Sequence, residues 1–464
     1  MSTIEPMPKK AKETILTMQR AGYECYAVGG SVRDTLMGQK TKGWDFTTNA
    51  TPEQILAVFP DSFYDNQFGT VGIKIYATEK KHDETEKPID IYEITTYRSE
   101  KGYKDHRHPD TVSWGKTLKE DLSRRDFSIN AIAWDGESLI DPYNGQNAIE
   151  NKQLKTVGNP DERFAEDALR MMRAIRIASQ LGFQIEETTN AAICNHASLF
   201  DDISKERVRD EFLKILVSPF SADGIILLKN TGLLAHIVPE LVPAFTTEQK
   251  SPNRHHLYDV GVHSVKAMEA CPSIDPIVKF ATLIHDIGKP KTFRKDETGQ
   301  ITFYNHEVAG TAIARRVVER LRFSKKDSER ILTLIRWHQF SVDERQTDSA
   351  IRRIIRRVGK ENLNDILALR IGDRLGGGAL ETSWRLELFK KRLEEVQQQP
   401  FSVKDLKING NDIMNVLGVR PGPIIGKTLS DIFADVEKGT LVNERETLLK
   451  KITSFSSVPN SPTK

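Results

Sequence analysis

The alternation of apolar and polar positions changes character near residue 160. Before that point, short period-2 segments typical of strands lie between segments with helical periodicity. The strand-like segments are "ECYAVGG", "WDFTTN", "TVGIKIYA", "PIDIYEITTYR" and "SINAIAWD", and the helical ones are "AKETILTMQRAGY", "SVRDTLMG" and "TPEQILAVF". The last of these begins with a threonine suited to capping and a proline at the first helical position. The pattern therefore predicts an α/β unit with a small sheet, and it places a charged loop at 77–88.

Beyond residue 160 the pattern is almost entirely helical, as in "FAEDALRMMRAIRIASQLGF" and "SKERVRDEFLKILV". Two stretches rich in Pro, Ser, Thr or Gln, 242–256 and 397–402, mark candidate boundaries. We therefore predict an α+β protein with a small mixed-sheet head followed by mostly helical parts. The predicted divisions are the head at 1–140, a neck at 141–250, a body at 251–398, a tail at 399–453 and a disordered end at 454–464.

The amino-acid composition limits the partners and the cellular location expected for this chain. The 67 Lys and Arg residues against 65 Asp and Glu give a net charge of +2, so a nucleic-acid surface would have to be a local patch. Three widely spaced cysteines do not suggest a disulfide framework, and this usage favours a reducing, cytoplasmic location. No apolar run reaches membrane-spanning length, so no membrane partner is expected.

Three segments carry candidate nucleotide chemistry. "VGGSVRD" places Gly29 and Gly30 between a strand and a helix, where backbone N–H groups and Arg33 suit a triphosphate. "DLSRRDFSINAIAWD" concentrates charged and polar groups, and "EDALRMMRAIRIA" places Asp167 and Arg170 three residues apart. Such a pair could recognise cytosine and adenine and reject uracil and guanine. Singly, the segments also fit a tight turn, a charged surface and a helix salt bridge.

Taken together, these segments resemble the class II tRNA nucleotidyltransferases, or CCA-adding enzymes, and the related bacterial poly(A) polymerases. The resemblance continues through "TTYRSEKGYKDHRHPDTVSW" and "SKERVRDEFLKIL" to "DLKINGNDIMNVLGVRPGPIIGKTL" in the tail. It implies that CTP and ATP are used to build CCA on the 3′ end of tRNA, with Mg²⁺ in the head. The nucleotide-binding residues implied are Gly29, Gly30, Arg33, Arg125, Asp126, Asn130, Asp167, Arg170, Arg173 and Arg176.

The stretch "KGWDFTTNA" departs from the family pattern. That pattern has two aspartates separated by one residue, and strand alternation would put positions 43 and 45 on one face, where they could share Mg²⁺. Here Asp45 is kept but Gly43 replaces the other aspartate, and Glu93 is a candidate extra carboxylate. We therefore expect a catalytic strand with one missing ligand, and an activity that this loss impairs.

The predicted body carries a second constellation of histidines and aspartates, which suits a transition metal such as Ni²⁺ or Mn²⁺. Its segments, among them "LIHDIGKPK", resemble the HD phosphohydrolases. The resemblance implies one metal site at His263, His285, Asp286 and Asp373, with His306 and His338 supporting a second. The alternative is a degenerate HD fold that serves only as a structural body for tRNA.

Other functions stay open at this point. One is a poly(A) polymerase or a partial CC- or A-adding enzyme. The complete loop "RSEKGYKDHRHP" argues against a CC-adding enzyme, and the end "VPNSPTK" is not the long basic tail usual in poly(A) polymerases. Another is an HD phosphohydrolase whose head only binds RNA. The oligomeric state, monomer or dimer, does not follow from the sequence.

Overall fold

The computed structural model has the predicted α+β class. It describes residues 7–41, 43–66, 69–76, 87–101, 111–115, 117–249, 258–340, 347–397, 403–438 and 440–456. The charged loop predicted at 77–88 lies outside these residues except for its last two positions. Of the terminal segment 454–464, the first three residues continue the last helix, and the others lie outside the described residues.

The head combines a seven-stranded sheet with four helices. In chain order its elements are α1 (Lys9–Arg20), β1 (Cys25–Val28), α2 (Gly30–Leu36), β2 (Asp45–Thr48), α3 (Pro52–Val58), β3 (Ser62–Asn66), β4 (Thr70–Ile75), β5 (Asp90–Thr96), β6 (Arg98–Lys101), β7 (Thr111–Trp114), α4 (Leu118–Ser123), a 3-10 turn (Ser128–Asn130), β8 (Ala133–Trp134) and β9 (Leu139–Ile140).

The sheet has the strand order β3-β4-β5-β2-β1-β8-β9. Only the β2–β5 pair is parallel, so the sheet is mixed. Alternate apolar side chains such as Phe46 and Ile94 are buried against α1 and α3, which explains the period-2 pattern. Thr51 and Gln54 form a capping box at the start of α3, as the Thr-Pro signal suggested.

One predicted strand is largely wrong. "SINAIAWD" begins with the 3-10 turn Ser128–Asn130, and only Ala133–Trp134 pairs in the sheet. The Ser128 N–H donates to the carbonyl of Lys155 instead of to a neighbouring strand. Apolar alternation cannot reveal such a partner, because it lies in a distant part of the chain.

The long middle part of the chain is helical. Its elements are α5 (Gly145–Glu150), β10 (Gln153–Leu154), α6 (Pro160–Glu166), α7 (Leu169–Leu181), β11 (Gln184–Ile185), α8 (Glu187–His196), a 3-10 helix (Ala197–Asp202), α9 (Lys205–Leu216), α10 (Ser221–Asn230), α11 (Leu233–Ile237), a 3-10 helix (Pro239–Thr246), α12 (Val260–Ala270), α13 (Pro276–Leu283), α14 (Lys289–Thr292), β12 (Arg294–Lys295), β13 (Ile301–Thr302), α15 (His306–Arg320), α16 (Lys325–Trp337), α17 (Asp348–Val358), a 3-10 turn (Lys360–Asn362), α18 (Leu363–Gly376) and α19 (Trp384–Gln397).

These helices share one apolar core, which extends from Phe127 to Val396. The stretch 242–256 begins inside the 3-10 helix Pro239–Thr246, whose Leu241 and Ala244 are buried in that core. Residues 250–257 lie outside the described part of the chain. The helices on both sides of this stretch therefore pack into the same hydrophobic interior.

The tail has a small core of its own. It contains a 3-10 turn (Val403–Asp405) and the helices α20 (Gly410–Leu417), α21 (Pro423–Glu437) and α22 (Arg445–Ser456). Arg352 of α17 is buried and donates to the Glu437 carbonyl, which ties the tail to the larger helical part. Among the residues described, none of the helices has the length and apolar character needed to cross a bilayer.

Candidate active site and candidate metal centre

The pairing of β2 with β5 brings two predicted carboxylates side by side. Asp45 and Glu93 are register partners in this parallel pair, and the Glu93 N–H donates to the Trp44 carbonyl at 2.9 Å. Paired residues of neighbouring strands project from the same face of a sheet. The two carboxylates therefore lie together, and both residues are exposed to solvent.

The glycine turn lies next to these carboxylates. Gly29 has a φ of +79°, and a Cβ at this position would lie 3.4 Å from Asp45 Oδ2 and 3.6 Å from Arg125 Nη1. Gly29 thus provides both a left-handed backbone and space beside the charged groups. Gly29, Asp45 and Arg125 line a single small space at the start of α2.

Gly43 does not lie on strand β2, which corrects the prediction that positions 43 and 45 share one strand face. Strand β2 begins at Asp45, and Gly43 sits in a bend with a φ of +71°. Its N–H donates to Asp90 Oδ2 at 3.3 Å. A Cβ built on residue 43 would have one described atom within 4 Å, the Ile91 carbonyl oxygen at 4.0 Å. A side chain there would have room but would carry the strain of a left-handed backbone.

A buried aspartate that the sequence analysis missed organises the arginines. Asp121 Oδ1 lies 2.6 Å from Arg124, its Oδ2 lies 3.1 Å from Arg125, and the Thr47 hydroxyl donates to it at 3.0 Å. Burial opposes ionisation, but the two guanidiniums outweigh it and lower the pKa of Asp121 to about 2. Desolvation in the cleft raises the pKa of Asp45, which Arg125 opposes. "DLSRRD" offered a signal for Asp121, a carboxylate three and four residues before two arginines.

Four predicted nucleotide-binding residues form a continuous chain of hydrogen bonds. Arg33 donates to Asn130 Oδ1 at 2.8 Å, and Asn130 donates to Asp126 Oδ1 at 3.3 Å. Arg173 completes the chain by donating to Asp126 Oδ2 at 2.9 Å. The chain connects the glycine-turn helix α2 to α7 across the cleft.

Arg176 is separate from this chain, because its guanidinium pairs with Glu211 at 2.6 Å and with Gln180 at 2.9 Å. The predicted helical pairing of Asp167 with Arg170 is wrong. Asp167 is extended between α6 and α7, where its carboxylate accepts from the N–H of Leu169, the first residue of α7, at 3.0 Å.

Each member of that predicted pair has another partner. Arg170 lies 2.6 Å from Glu166 Oε2 and donates to the Arg124 carbonyl at 3.2 Å. Asp167 Oδ2 lies 3.2 Å from Arg207, a residue the sequence analysis did not single out. The signal was its place in "SKERVRDEFLKIL". Arg170 therefore lies beside the Arg124–Arg125 segment, whereas Asp167 faces Arg207.

The predicted histidines and aspartates of the body converge in the structure. His263 lies on α12, His285 and Asp286 follow α13, and Asp373 lies on α18. His263 Nε2 is 3.2 Å from Asp373 Oδ1 and 3.6 Å from Asp286 Oδ2. His285 Nε2 is 3.2 Å from Asp286 Oδ2. All but Asp373 are buried, and the four side chains form the first predicted ligand set.

His306 and His338 complete a second group around the same aspartate. Their Nε2 atoms are 3.2 Å and 3.7 Å from Asp286 Oδ1, and 3.2 Å from each other. Two sets with metal-ligand geometry therefore share Asp286, one with His263 and His285 and one with His306 and His338. A carboxylate with one oxygen directed to each set is suited to bridging two cations.

Backbone carbonyls fix the orientation of three of these imidazoles. A carbonyl can only accept, so each Nδ1 must carry a proton, and Nε2 is the ring nitrogen left to face the centre. The bonds run from His285 to Thr282 at 2.7 Å, from His306 to Phe303 at 2.8 Å and from His338 to Ile335 at 2.7 Å. His285 Nε2 has no hydrogen-bond partner among the described residues. The donor set therefore fits a transition metal.

The charges within the cluster are strongly coupled. Although burial disfavours the imidazolium, Asp286 and Asp373 raise the pKa of His285 to about 10. Burial and the neighbouring His285 lower the pKa of His338 to about 3. Burial opposes ionisation of Asp286, but His285 and Lys289 hold its pKa well below its usual range. The Lys289 ammonium lies 2.6 Å from Asp286 Oδ2.

A cavity of about 440 Å³ connects the cluster with solvent. Its wall includes His306, His338 and Asp373, together with the cationic Lys289 and the exposed Tyr304. This volume is within the range of small-molecule sites. The cluster is thus both protected by burial and open to a ligand from one side.

Comparisons with known proteins agree with the geometry of the head. A sequence model of the Poly A polymerase head domain matches residues 25–155. A model described as "Probable RNA and SrmB- binding site of polymerase A" matches 182–245, and "tRNA nucleotidyltransferase domain 2 putative" matches 295–452. These three models cover both the sheet with Asp45 and much of the helical part.

Curated relatives extend the similarity over the chain. The CCA-adding enzyme of Geobacillus kaustophilus is 44% identical over 235 residues, which span 50% of this chain but only 55% of that protein. The CCA-adding enzyme of Levilactobacillus brevis is 32% identical over 460 residues, 97% of this chain and 99% of that protein.

Among solved structures, the Bacillus stearothermophilus CCA-adding enzyme in complex with CTP has a TM-score of 0.69 at 26% identity, and the match covers 97% of this chain and 98% of that one. Fold, head motifs and near full-length similarity lead to the same assignment. This chain belongs to the family of CCA-adding enzymes.

Proposed function

We propose that the chain adds C, C and A in turn to the 3′ end of tRNA, with CTP and ATP as donors. The observation that carries this proposal is the β2–β5 register, which places Asp45 and Glu93 together beside the Gly29 turn and Arg125. The CTP complex of the Bacillus stearothermophilus enzyme supports the choice of donor. A tRNA substrate also supports a cytoplasmic location.

The reaction forms a bond between the tRNA 3′ oxygen and the α-phosphorus of the nucleotide. The bond from that phosphorus to the bridging oxygen breaks, pyrophosphate leaves, and the 3′ hydroxyl loses its proton. In this proposal Gly29, Gly30 and Arg33 hold the triphosphate through backbone N–H groups and a guanidinium. Asp45 and Glu93 would hold Mg²⁺, which supplies activation of the hydroxyl and neutralisation of pyrophosphate.

Further parts of the proposal concern the remaining predicted residues. Arg125, Asp126, Asn130, Arg173 and Arg176 would line the nucleotide site, with Asp167 and Arg170 reading the base. The division into a head at 1–140, a neck at 141–250, a body at 251–398 and a tail at 399–453 belongs to this proposal, with neck and tail contacting tRNA.

The test is incorporation into tRNA that ends before CCA, with each labelled nucleotide and Mg²⁺. We expect two C and one A, and no addition from UTP or GTP. Asp45→Asn should abolish incorporation, whereas Glu53→Gln on the exposed start of α3 should not. Repeated A addition would identify a poly(A) polymerase, and addition that stops at CC, or that needs a CC end, would identify a partial enzyme. No addition at all would overturn the proposal.

A second activity is favoured by the two ligand sets that share Asp286. We propose that the body is an HD-type, metal-dependent phosphohydrolase that uses Ni²⁺ or Mn²⁺. In hydrolysis, a water oxygen bonds to phosphorus, the ester P–O bond breaks, and the leaving oxygen takes a proton. Lys289 at the cavity wall suits the phosphate charge. A metal at the histidines would supply Lewis acidity toward the phosphate.

Metal analysis of the purified protein and hydrolysis of 2′,3′-cyclic nucleotides with Ni²⁺, Mn²⁺ and Mg²⁺ test this activity. We expect bound transition metal and hydrolysis that a chelator removes. If no metal co-purifies and every added metal leaves the protein inert, the body is purely structural.

A further inference from the structure

A basic groove lies beside the metal cavity. It has a volume of about 240 Å³ and is formed where the end of α16 meets α17. Its wall includes Trp337, Gln339, Arg353 and Arg357. No part of the proposed nucleotidyl transfer uses these residues, since the head site lies on the sheet around Asp45.

The arginines of α17 divide into two groups. Arg352 is buried and donates to the Glu437 carbonyl at 3.1 Å, and Arg356 pairs with the Glu437 carboxylate at 2.9 Å. Arg353 and Arg357 are one turn apart on an adjacent face of the helix, and both are exposed. Within the described ranges, no carboxylate lies within ion-pair distance of either one. Among the residues that the structure describes, the positive charge of these two arginines is therefore not compensated by a carboxylate.

The Trp337 ring orients the guanidinium of Arg357. Its ring lies under the Arg357 guanidinium, 4.7 Å from the ring centroid, and under the Arg336 guanidinium at 4.5 Å. Stacking on an indole holds a guanidinium in one plane, which lowers the conformational freedom lost on binding. A planar, preorganised guanidinium is suited to bidentate contact with phosphate.

The groove and the metal cavity are neighbours that share one lining residue. Gln339 lines both, and Trp337 is followed in the chain by His338, one of the metal-set histidines. Lys289 extends the positive charge into the cavity. A ligand with several phosphates in a row could thus contact the two arginines while its end reaches the cluster.

We propose that the groove formed by Trp337, Arg353 and Arg357 binds the phosphodiester backbone of single-stranded RNA and leads its terminal phosphate to the metal cavity. Delivery of the terminal phosphate to the metal cavity rests on the proposed phosphohydrolase activity. RNA binding in the groove does not depend on that activity. The proposal makes the substrate of the metal centre an RNA chain end, rather than a free mononucleotide.

Binding is tested on the full chain with a fluorescent, unstructured oligoribonucleotide over a range of salt concentrations. The double variant Arg353→Glu/Arg357→Glu should raise Kd at least tenfold at low salt. Two lost phosphate contacts should also reduce the slope of log K against log salt by about 1.4, since each contributes about 0.7 on a single strand. Arg353→Lys/Arg357→Lys, which keeps the charge, should retain most of the binding.

The matched control is Arg315→Glu/Lys326→Glu, which makes the same charge change at exposed positions on α15 and at the far end of α16. An equal loss of affinity in this control, or an unchanged salt slope in the groove variant, would overturn the proposal. Thermal unfolding of both variants ensures that folded proteins are compared.

A hydrolysis assay is the second part of the experiment. With an oligoribonucleotide that carries a terminal phosphate, the groove variant should show KM raised about tenfold, while hydrolysis of a 2′,3′-cyclic mononucleotide stays unchanged. If the wild-type protein hydrolyses neither substrate, the phosphohydrolase proposal fails, and the binding arm still decides whether the groove holds RNA. An equal loss on both substrates would contradict the role of the groove.

Discussion

The head site and the candidate metal centre both contain carboxylates, but they are built differently. In the head, Asp45 and Glu93 project from adjacent strands into an open cleft, and Gly43 offers no third carboxylate. In the helical part, two ligand sets meet on Asp286 inside a packed core. The two head carboxylates are exposed on the sheet, whereas the histidines and Asp286 of the second cluster are buried and reached from one side by a cavity.

The difference follows from the secondary structure around each site, a sheet in the head and packed helices in the second cluster. Strand ends leave a face open to substrates as large as tRNA and a nucleotide, so the surrounding arginines must be held by buried groups such as Asp121. In the helical core, backbone carbonyls at helix ends orient the imidazoles directly, as for His285 and His338. Loss of one ligand should therefore have different consequences in the two places.

The largest effect is expected for Asp286→Asn, which removes the carboxylate that both sets share. Metal-dependent hydrolysis should fall by at least about 10³-fold, because metal assistance contributes several kcal/mol and each 1.36 kcal/mol is tenfold in rate. Nucleotide addition to tRNA should continue, measured well below the unfolding temperature because metal loss destabilises the fold. Glu329→Gln on exposed α16 is the control. Equal loss of both activities would show that the two sites are not independent.

The second-largest effect is expected for a substitution at position 43 of the head. Gly43→Asp should raise nucleotide incorporation at least about tenfold if it restores a carboxylate ligand. The left-handed backbone at position 43 should lower stability by about 1 kcal/mol. Gly43→Asn carries the same backbone strain without a carboxylate, so it should lose stability and gain no activity. If Asp and Asn behave alike in single-turnover assays, position 43 contributes no metal ligand.

Nucleotide selectivity should depend on Arg170 but not on Arg163, although both arginines pair with the same carboxylate. Arg170 and Arg163 each lie 2.6 Å from Glu166. Arg170→Ala should weaken use of CTP and ATP and relax rejection of UTP and GTP, since each base contact contributes about 1–3 kcal/mol. Arg163→Ala removes a comparable ion pair and should leave selectivity unchanged. Selectivity that is equal in both variants would reduce Arg170 to a structural role.

The smallest effect is a shift in the pH dependence of the head. Desolvation raises the pKa of Asp45 and Arg125 opposes it. A protonated Asp45 cannot hold Mg²⁺, so incorporation should fall as pH decreases through this raised pKa. Removing the opposing charge in Arg125→Ala should move the acidic limb of the profile to higher pH. Arg124→Ala, which also loses a contact to Asp121, should leave the limb in place. An unmoved limb in the Arg125 variant would contradict the assignment.

Much of the fold could be predicted from local pattern. Period-2 segments predicted β1, β2, β4 and β5, and the Thr-Pro signal predicted the start of α3. The resemblance to HD phosphohydrolases singled out the histidines and aspartates that the structure brings together around Asp286. The break of the helix at Asp167 was missed, since apolar periodicity continues through "EDALRMMRAIR" without interruption.

What only the tertiary structure decided was which charged groups meet. The spacing in "DLSRRD" was a local signal for the contact between Asp121 and Arg125. Nothing in the local sequence revealed that Arg207 contacts Asp167 or that Gln339 lines the cavity beside the histidine cluster. Long side chains such as arginine reach several neighbours, and the choice among them depends on how distant elements pack. For the same reason, the sequence alone established that position 43 lacks a carboxylate, whereas the structure established that its backbone lies outside the strand, in a conformation that favours glycine.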